Sequence, residues 1–259
     1  MSKTARAGFA VLLLLTVAAP LGAQVGASDW LQKMQARTAE GHYKFRFKAD
    51  MNVAEEGMQA KILIDGSMNY ATAERFSTAF DVNMDMAGMA MTMKMKTVAD
   101  GESFWLEIDS PMMGGKQVMT GTTSQLEKLS QLGGADLSGL GGLGQDPIEQ
   151  IRGLAERFDL EVASREKGRV TLHAAIGADD LAGLGEFAAL GEALDHITLV
   201  LDEKEGLPLQ LEIGAEQPFM TIDFTDYEFF RVEDVQRADY AYTPPDGVPV
   251  NDIGTMLGN

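Results

Sequence analysis

Residues 80–96 read FDVNMDMAGMAMTMKMK, Phe80 to Lys96, and hold six of the chain's sixteen methionines. Every second position is apolar: Phe80, Val82, Met84 and Met86 before Ala87-Gly88, then Met89, Met91, Met93 and Met95 after it. A period of two is the mark of a strand with one dry face and one wet face. Ala87-Gly88 between two such runs predicts a two-residue hairpin turn. That turn opposes Met86 to Met89, Met84 to Met91 and Val82 to Met93. On the other face it opposes Asp81 to Lys94, a favourable cross-strand pair. In this register all six methionines share one side of one sheet, and a slip of one residue would undo it.

The same alternation runs outward. Upstream, Tyr43, Phe45, Phe47, Ala49, Met51 and Val53 alternate with Lys44, Arg46, Lys48, Asp50 and Asn52. A turn at Glu55-Glu56-Gly57 follows, and Met58, Ala60, Ile62 and Ile64 continue the pattern, so a second hairpin precedes the first. Before them, Asp29 to Glu40 predicts a short helix with Asp29 as N-cap. Downstream, strands are expected at Ser103–Ile108 and Lys116–Met119, then a helix at Ser124–Leu132 and a Gly/Leu-rich loop at 133–145. Asp146-Pro147 opens a further helix with a cap and a first-turn proline, and Ile148, Ile151, Leu154, Ala155 and Phe158 form its apolar stripe. Strands at Leu160–Ala163 and Val170–Ala174 precede a helix at 180–194. The remaining strands are His196–Leu201, Pro208–Ile213, Phe219–Phe224 and Tyr227–Val232, with a turn at Glu205-Gly206. Blocks of strands broken by single helices predict an α+β fold, an antiparallel sheet with helices gathered on one side.

Lys3 and Arg6 precede a run of apolar residues from Ala7 to Ala19, and Pro20 to Ala27 carries small residues suited to cleavage. Residues 1–27 read as a signal peptide cut after Ala23 or Ala27, leaving 28–259 as a single exported domain. The chain has no cysteine, which excludes disulfides, thiolate metal sites and cysteine nucleophiles. Its formal net charge of −18 argues against nucleic acid as a partner.

Catalytic signals are weak throughout. Gly139-Leu-Gly-Gly-Leu-Gly144 has the letters of a dinucleotide-binding turn but follows a helical pattern inside a low-complexity loop. His42, His173 and His196 lack metal-ligand spacing, and neither G-x-S-x-G nor H-E-x-x-H occurs. We therefore expect no catalytic residue, no cofactor and no enzyme. The methionines admit two readings: thioether ligands for copper(I), or adaptable filler of an apolar surface. The alternation passes smoothly into Phe45, Phe47, Ile62, Ile64, Phe80 and Val82, which bind no metal, and this favours the apolar surface. A periplasmic copper(I)-binding protein stays as an alternative, as does a sensor domain in which the methionines are only core.

Four stretches share an order with a known family. Tyr240-Ala-Tyr-Thr-Pro-Pro-Asp-Gly-Val-Pro-Val-Asn-Asp252, Val98-Ala-Asp-Gly-Glu-Ser-Phe-Trp-Leu106 with Asp109-Ser-Pro111, Ile64 to Tyr70 with Arg75-Phe76, and Asp146-Pro147 together resemble the LolA-like periplasmic lipoprotein carriers. The resemblance implies a curved, incompletely closed antiparallel half-barrel with helices covering its concave side. It also implies a periplasmic carrier of lipoprotein acyl chains or lipid, monomeric, meeting inner- and outer-membrane transfer partners. The expected acyl-binding residues are Phe45, Phe47, Ile62, Ile64, Phe80, Val82, Met84, Met86, Met91, Met93, Met95 and, with opposing parity, Trp105. The expected lid residues are Leu140, Leu143, Ile151, Leu154, Phe158, Leu184 and Phe187.

Overall fold

The computed structural model describes residues 26–39, 42–55, 58–86, 88–125, 146–177, 194–215 and 217–256. In chain order these form α1 (Ala27–Ala39), β1 (His42–Glu55), β2 (Met58–Thr72), β3 (Arg75–Met86), β4 (Met89–Asp100), β5 (Ser103–Ser110), β6 (Gly115–Thr122) and α2 (Pro147–Arg157). After them come β7 (Glu161–Glu166), β8 (Arg169–Ala175), β9 (His196–Asp202), β10 (Pro208–Gly214), β11 (Pro218–Phe230), β12 (Val250–Asp252) and α3 (Ile253–Met256). All twelve strands belong to one sheet, in the order β12-β6-β5-β4-β3-β2-β1-β11-β10-β9-β8-β7. Neighbours are antiparallel except where β12 joins β6 in parallel. The sheet does not close on itself, which is the open half-barrel expected.

The Met-rich hairpin has the register that period two dictates: Met86 opposes Met89, Met84 opposes Met91, and Val82 opposes Met93. Polar contacts on its outer face hold that register. Lys94 Nζ lies 3.1 Å from Asp81 Oδ2, and Thr92 donates to Asn83 Oδ1 at 3.0 Å. The turn closes with the Gly88 N–H donating to Asp85 Oδ1 at 3.0 Å, and Gly88 takes a φ of 86°.

Alternation is clear in the sequence only to Ile64, yet β2 runs on to Thr72. Gly66 explains the continuation. It sits between Phe47 and Phe80 in the register, and a Cβ there would lie 2.5 Å from the Phe47 ring. The missing side chain lets the ring lie flat on the sheet. β11 likewise joins two strands that the sequence reading separates. Asp226, at φ 57°, bulges out opposite Phe45, where the β1–β11 register shifts between Lys44 and Arg46. The extra residue swaps parity, so Tyr227 and Phe229 reach the same cluster as Phe224.

α1 starts two residues earlier than expected, so Asp29 sits in its first turn, where its carboxylate accepts the Gly26 N–H at 2.9 Å. α2 begins as expected. Asp146 caps it, accepting from Ile148 N at 2.9 Å and Glu149 N at 3.3 Å, with Pro147 in the first turn. Trp30, Leu31 and Met34 of α1 pack with Ile148, Ile151 and Ala155 of α2 over the β1, β8, β9, β10 and β11 part of the sheet. Lys33 donates to the Glu203 carbonyl at 2.8 Å and Arg37 pairs with Glu205 at 3.2 Å, fixing α1 to the β9–β10 turn.

After β11 the chain crosses the outer, polar face through two short 3₁₀ turns, Val232–Asp234 and Arg237–Tyr240. Tyr240 is buried and donates to Asn69 Oδ1 at 3.2 Å. Tyr242 packs against Trp105 in a tilted pair with ring centroids 5.6 Å apart and donates to the Glu107 carboxylate. The segment then pairs with the β6 edge and turns round it, so that Ile253 packs with Phe76, Phe104 and Leu106 on the concave side. Of the helix expected over 124–132, residues 124 and 125 are helical and the rest lies outside the described residues. The signal peptide up to residue 25, the loop at 133–145 and residues 180–193 of the last expected helix also lie outside them.

Candidate functional site

Among the described residues, the concave face carries a wall built by strands. Ala49, Ile64 and Val82 are buried there, and Phe47, Ile62, Phe80, Met84, Met93 and Ile222 pack round them, half-buried. Among the described residues no helix contributes to this cluster, in contrast to the one beneath α1 and α2. Every member descends from the two-residue period of β1 to β4, save Ile222, which the β1–β11 pairing brings in. That pairing joins the first strand to the eleventh and leaves no local signal. Met51 extends the wall into a neighbouring cluster with Met220 and Phe219.

The expected acyl-binding residues do not all share this surface. Phe47, Ile62, Ile64, Phe80, Val82, Met84 and Met93 meet in it. Phe45 is 3% exposed and belongs to the core beneath the helices, and Met95 is 4% exposed and packs with Phe76 and Leu106. Met86 and Met91 are half-buried nearer the hairpin tip. Trp105 lies outside the concave lining. It points to the outer face, as its parity against Phe104 and Leu106 requires, and packs there against the tilted Tyr242 ring. Of the expected lid, Ile151 and Phe158 are buried and Leu154 half-buried in the helix-covered core. Leu140, Leu143, Leu184 and Phe187 lie outside the described residues.

Two polar groups interrupt the apolar surface. Thr78 and Thr97 oppose one another in the β3–β4 register, and both hydroxyls are buried with no hydrogen-bond partner among the described residues. A second polar locus lies at the start of α2. Tyr43 donates to Asp146 from β1, and Tyr70 stands 5.7 Å from the Tyr43 ring. Burial pushes the Tyr70 hydroxyl up to about 12 and Tyr43 higher still. Burial also raises the Asp146 carboxyl, against the hydrogen bonds it accepts from Tyr43 and two backbone N–H groups.

The outer face is a ladder of ion pairs. Lys44–Glu228 at 2.8 Å, Arg46–Asp65 at 3.1 Å and Lys61–Asp50 at 3.1 Å join neighbouring strands and keep that face wet. Among the described residues no three His, Asp or Glu side chains are placed to hold a metal ion, and no helix is long and apolar enough to cross a membrane.

No protein-family model matches the chain, and none of the curated proteins matches it. Solved structures similar to it include MucB, at 16% identity over 84% of this chain and 62% of that one, with a TM-score of 0.33. The Pseudomonas aeruginosa MucA/MucB complex is similar at 15% identity over 78% of this chain, with a TM-score of 0.32, and the chain spans 56% of the length of that protein. An outer membrane lipoprotein-sorting protein domain from Vibrio parahaemolyticus is similar at 11% identity over 81% of this chain and 95% of that one, with a TM-score of 0.28. These likenesses are weak, and the chemistry of the site rests on its own residues.

Proposed function

We propose that this protein is a non-enzymatic periplasmic carrier that holds the acyl chains of lipoproteins or lipids against its concave wall and passes them toward the outer membrane. The observation that carries the reading is the cluster of strand residues round Ile64 and Val82, whose rim of Phe47, Ile62, Phe80, Met84 and Met93 is half-buried and continuous among the described residues. Acyl burial there contributes about 0.8 kcal/mol per CH₂, and thioether side chains repack round chains of different length with little strain. The N-terminal apolar run supplies export.

Mass spectrometry of the protein released gently from the periplasm, first native and then after organic extraction, tests the proposal. Co-purifying acyl lipid or lipoprotein is the expected result. Ile62→Asp with Met93→Asp should abolish that retention while the variant is still exported and folded, because both side chains border the wall without lying in its buried centre. Retention unchanged in the double variant would overturn the assignment of the concave wall.

A further inference from the structure

We infer that the tip of the β3–β4 hairpin is a thioether site for a soft monovalent cation, copper(I), formed by Met84, Met86, Met89 and Met91. The wall and the tip differ in packing although one alternation runs through both. Val82 and Met95 are buried, at 6% and 4% exposure. Toward the tip, Met84, Met86 and Met91 are half-exposed and Met89 is 66% exposed. The tip methionines are therefore open to an ion from solvent, where the wall methionine Met95 is not.

The register arranges the four sulfurs. Met84 faces Met91 and Met86 faces Met89 on the same side of two hydrogen-bonded strands. Opposed Cβ atoms on neighbouring strands stand ~5 Å apart, and positions two apart on one strand ~7 Å. Three rotatable bonds in each methionine let sulfurs from such a rectangle meet on one ion without moving the backbone. Thioether sulfur selects copper(I) over the harder divalent ions, and the chain has no cysteine to compete for it. The frame is held on its other face by the Asp81–Lys94 pair, the Thr92–Asn83 hydrogen bond and the Asp85-capped turn. The ion needs no redox step, so nothing further has to be supplied. The site borders the acyl wall at Met84, which packs in both, while Met86, Met89 and Met91 lie outside the wall, so variants of those three test the copper assignment apart from the acyl one.

Anaerobic titration of the full exported chain with copper(I), in competition with bicinchoninate, tests this inference. The wild type should withdraw a single equivalent from the chelator. The triple variant Met86→Leu, Met89→Leu, Met91→Leu should withdraw none, while its lipid retention and thermal midpoint stay close to wild type. Met112→Leu with Met113→Leu is the control, since those two methionines are also exposed but sit on a different turn. Silver(I), which does not change oxidation state, should move the ε-methyl NMR signals of the four tip methionines and leave those of Met112 and Met113 in place. No equivalent withdrawn by the wild type would overturn the site, and so would equal loss in the control variant. If the triple variant fails to fold, Met89→Leu alone must weaken binding, and unchanged binding there overturns the site as well.

Discussion

Asp146 joins the helical layer to the sheet through one carboxylate, which caps α2 and accepts the Tyr43 hydroxyl. Its two roles separate by substitution. Asn keeps the accepting oxygen, so Asp146→Asn should leave folding stability near wild type. Asp146→Ala loses the cap, at about 1 kcal/mol, and strands a buried tyrosine hydroxyl at a further ~1–3 kcal/mol. The sign of the pH dependence follows from burial, which raises the folded carboxyl above its ordinary value. Over the interval between those values the folded chain binds more protons than the unfolded one, so this group's contribution to stability falls as pH rises and is fullest below the ordinary value. Urea midpoints for wild type and both variants across the acid range check this. The wild type should carry a slope that Asp146→Asn lacks, and equal midpoints for the Ala and Asn variants would remove the capping role.

β11 makes its case at the level of a whole element. Its parity swap depends on Asp226, a non-glycine residue at φ 57°. Asp226→Gly should hold or slightly raise stability, whereas Asp226→Val, β-branched in a left-handed conformation, should lose roughly 1–2 kcal/mol. Deleting Asp226 should turn Tyr227 and Phe229 out of the core and prevent folding; a cooperative melt near the wild-type temperature would refute that. The bulge also shows where reading a sequence stops. The β3–β4 hairpin was legible to the residue because a two-residue turn and strict alternation leave a single register. A bulge breaks the alternation just as a loop does, so β11 reads as two strands. Gly66 hides the length of β2 in the same way, by removing a side chain from the pattern. Of the concave wall, the residues of β1 to β4 were legible from parity, and parity also opposed Trp105. Ile222 was not, because the partner of an edge found far along the chain leaves no trace in either strand.

The largest element is the segment after β11, which crosses the outer face and folds round the β6 edge. It covers Val98 and Val118, buried on the outer side, and brings Ile253 into the inner cluster. A chain ending at Arg231 should therefore expose apolar surface on both faces of the same strands. A sharply lowered thermal midpoint and dye binding are expected, and a truncated chain that melts like the full one would show the segment to be dispensable. The pairing of β1 with β11 has a consequence in time. Tyr43 has its partner Phe229 only after nearly all the other strands have been made, and the edge of β6 is covered later still. Whatever forms earlier on the ribosome is a set of hairpins with an unclosed seam, and seams between distant strands close slowly. Such a chain keeps its seam open until its last strands arrive, and its architecture is finished by the segments made last.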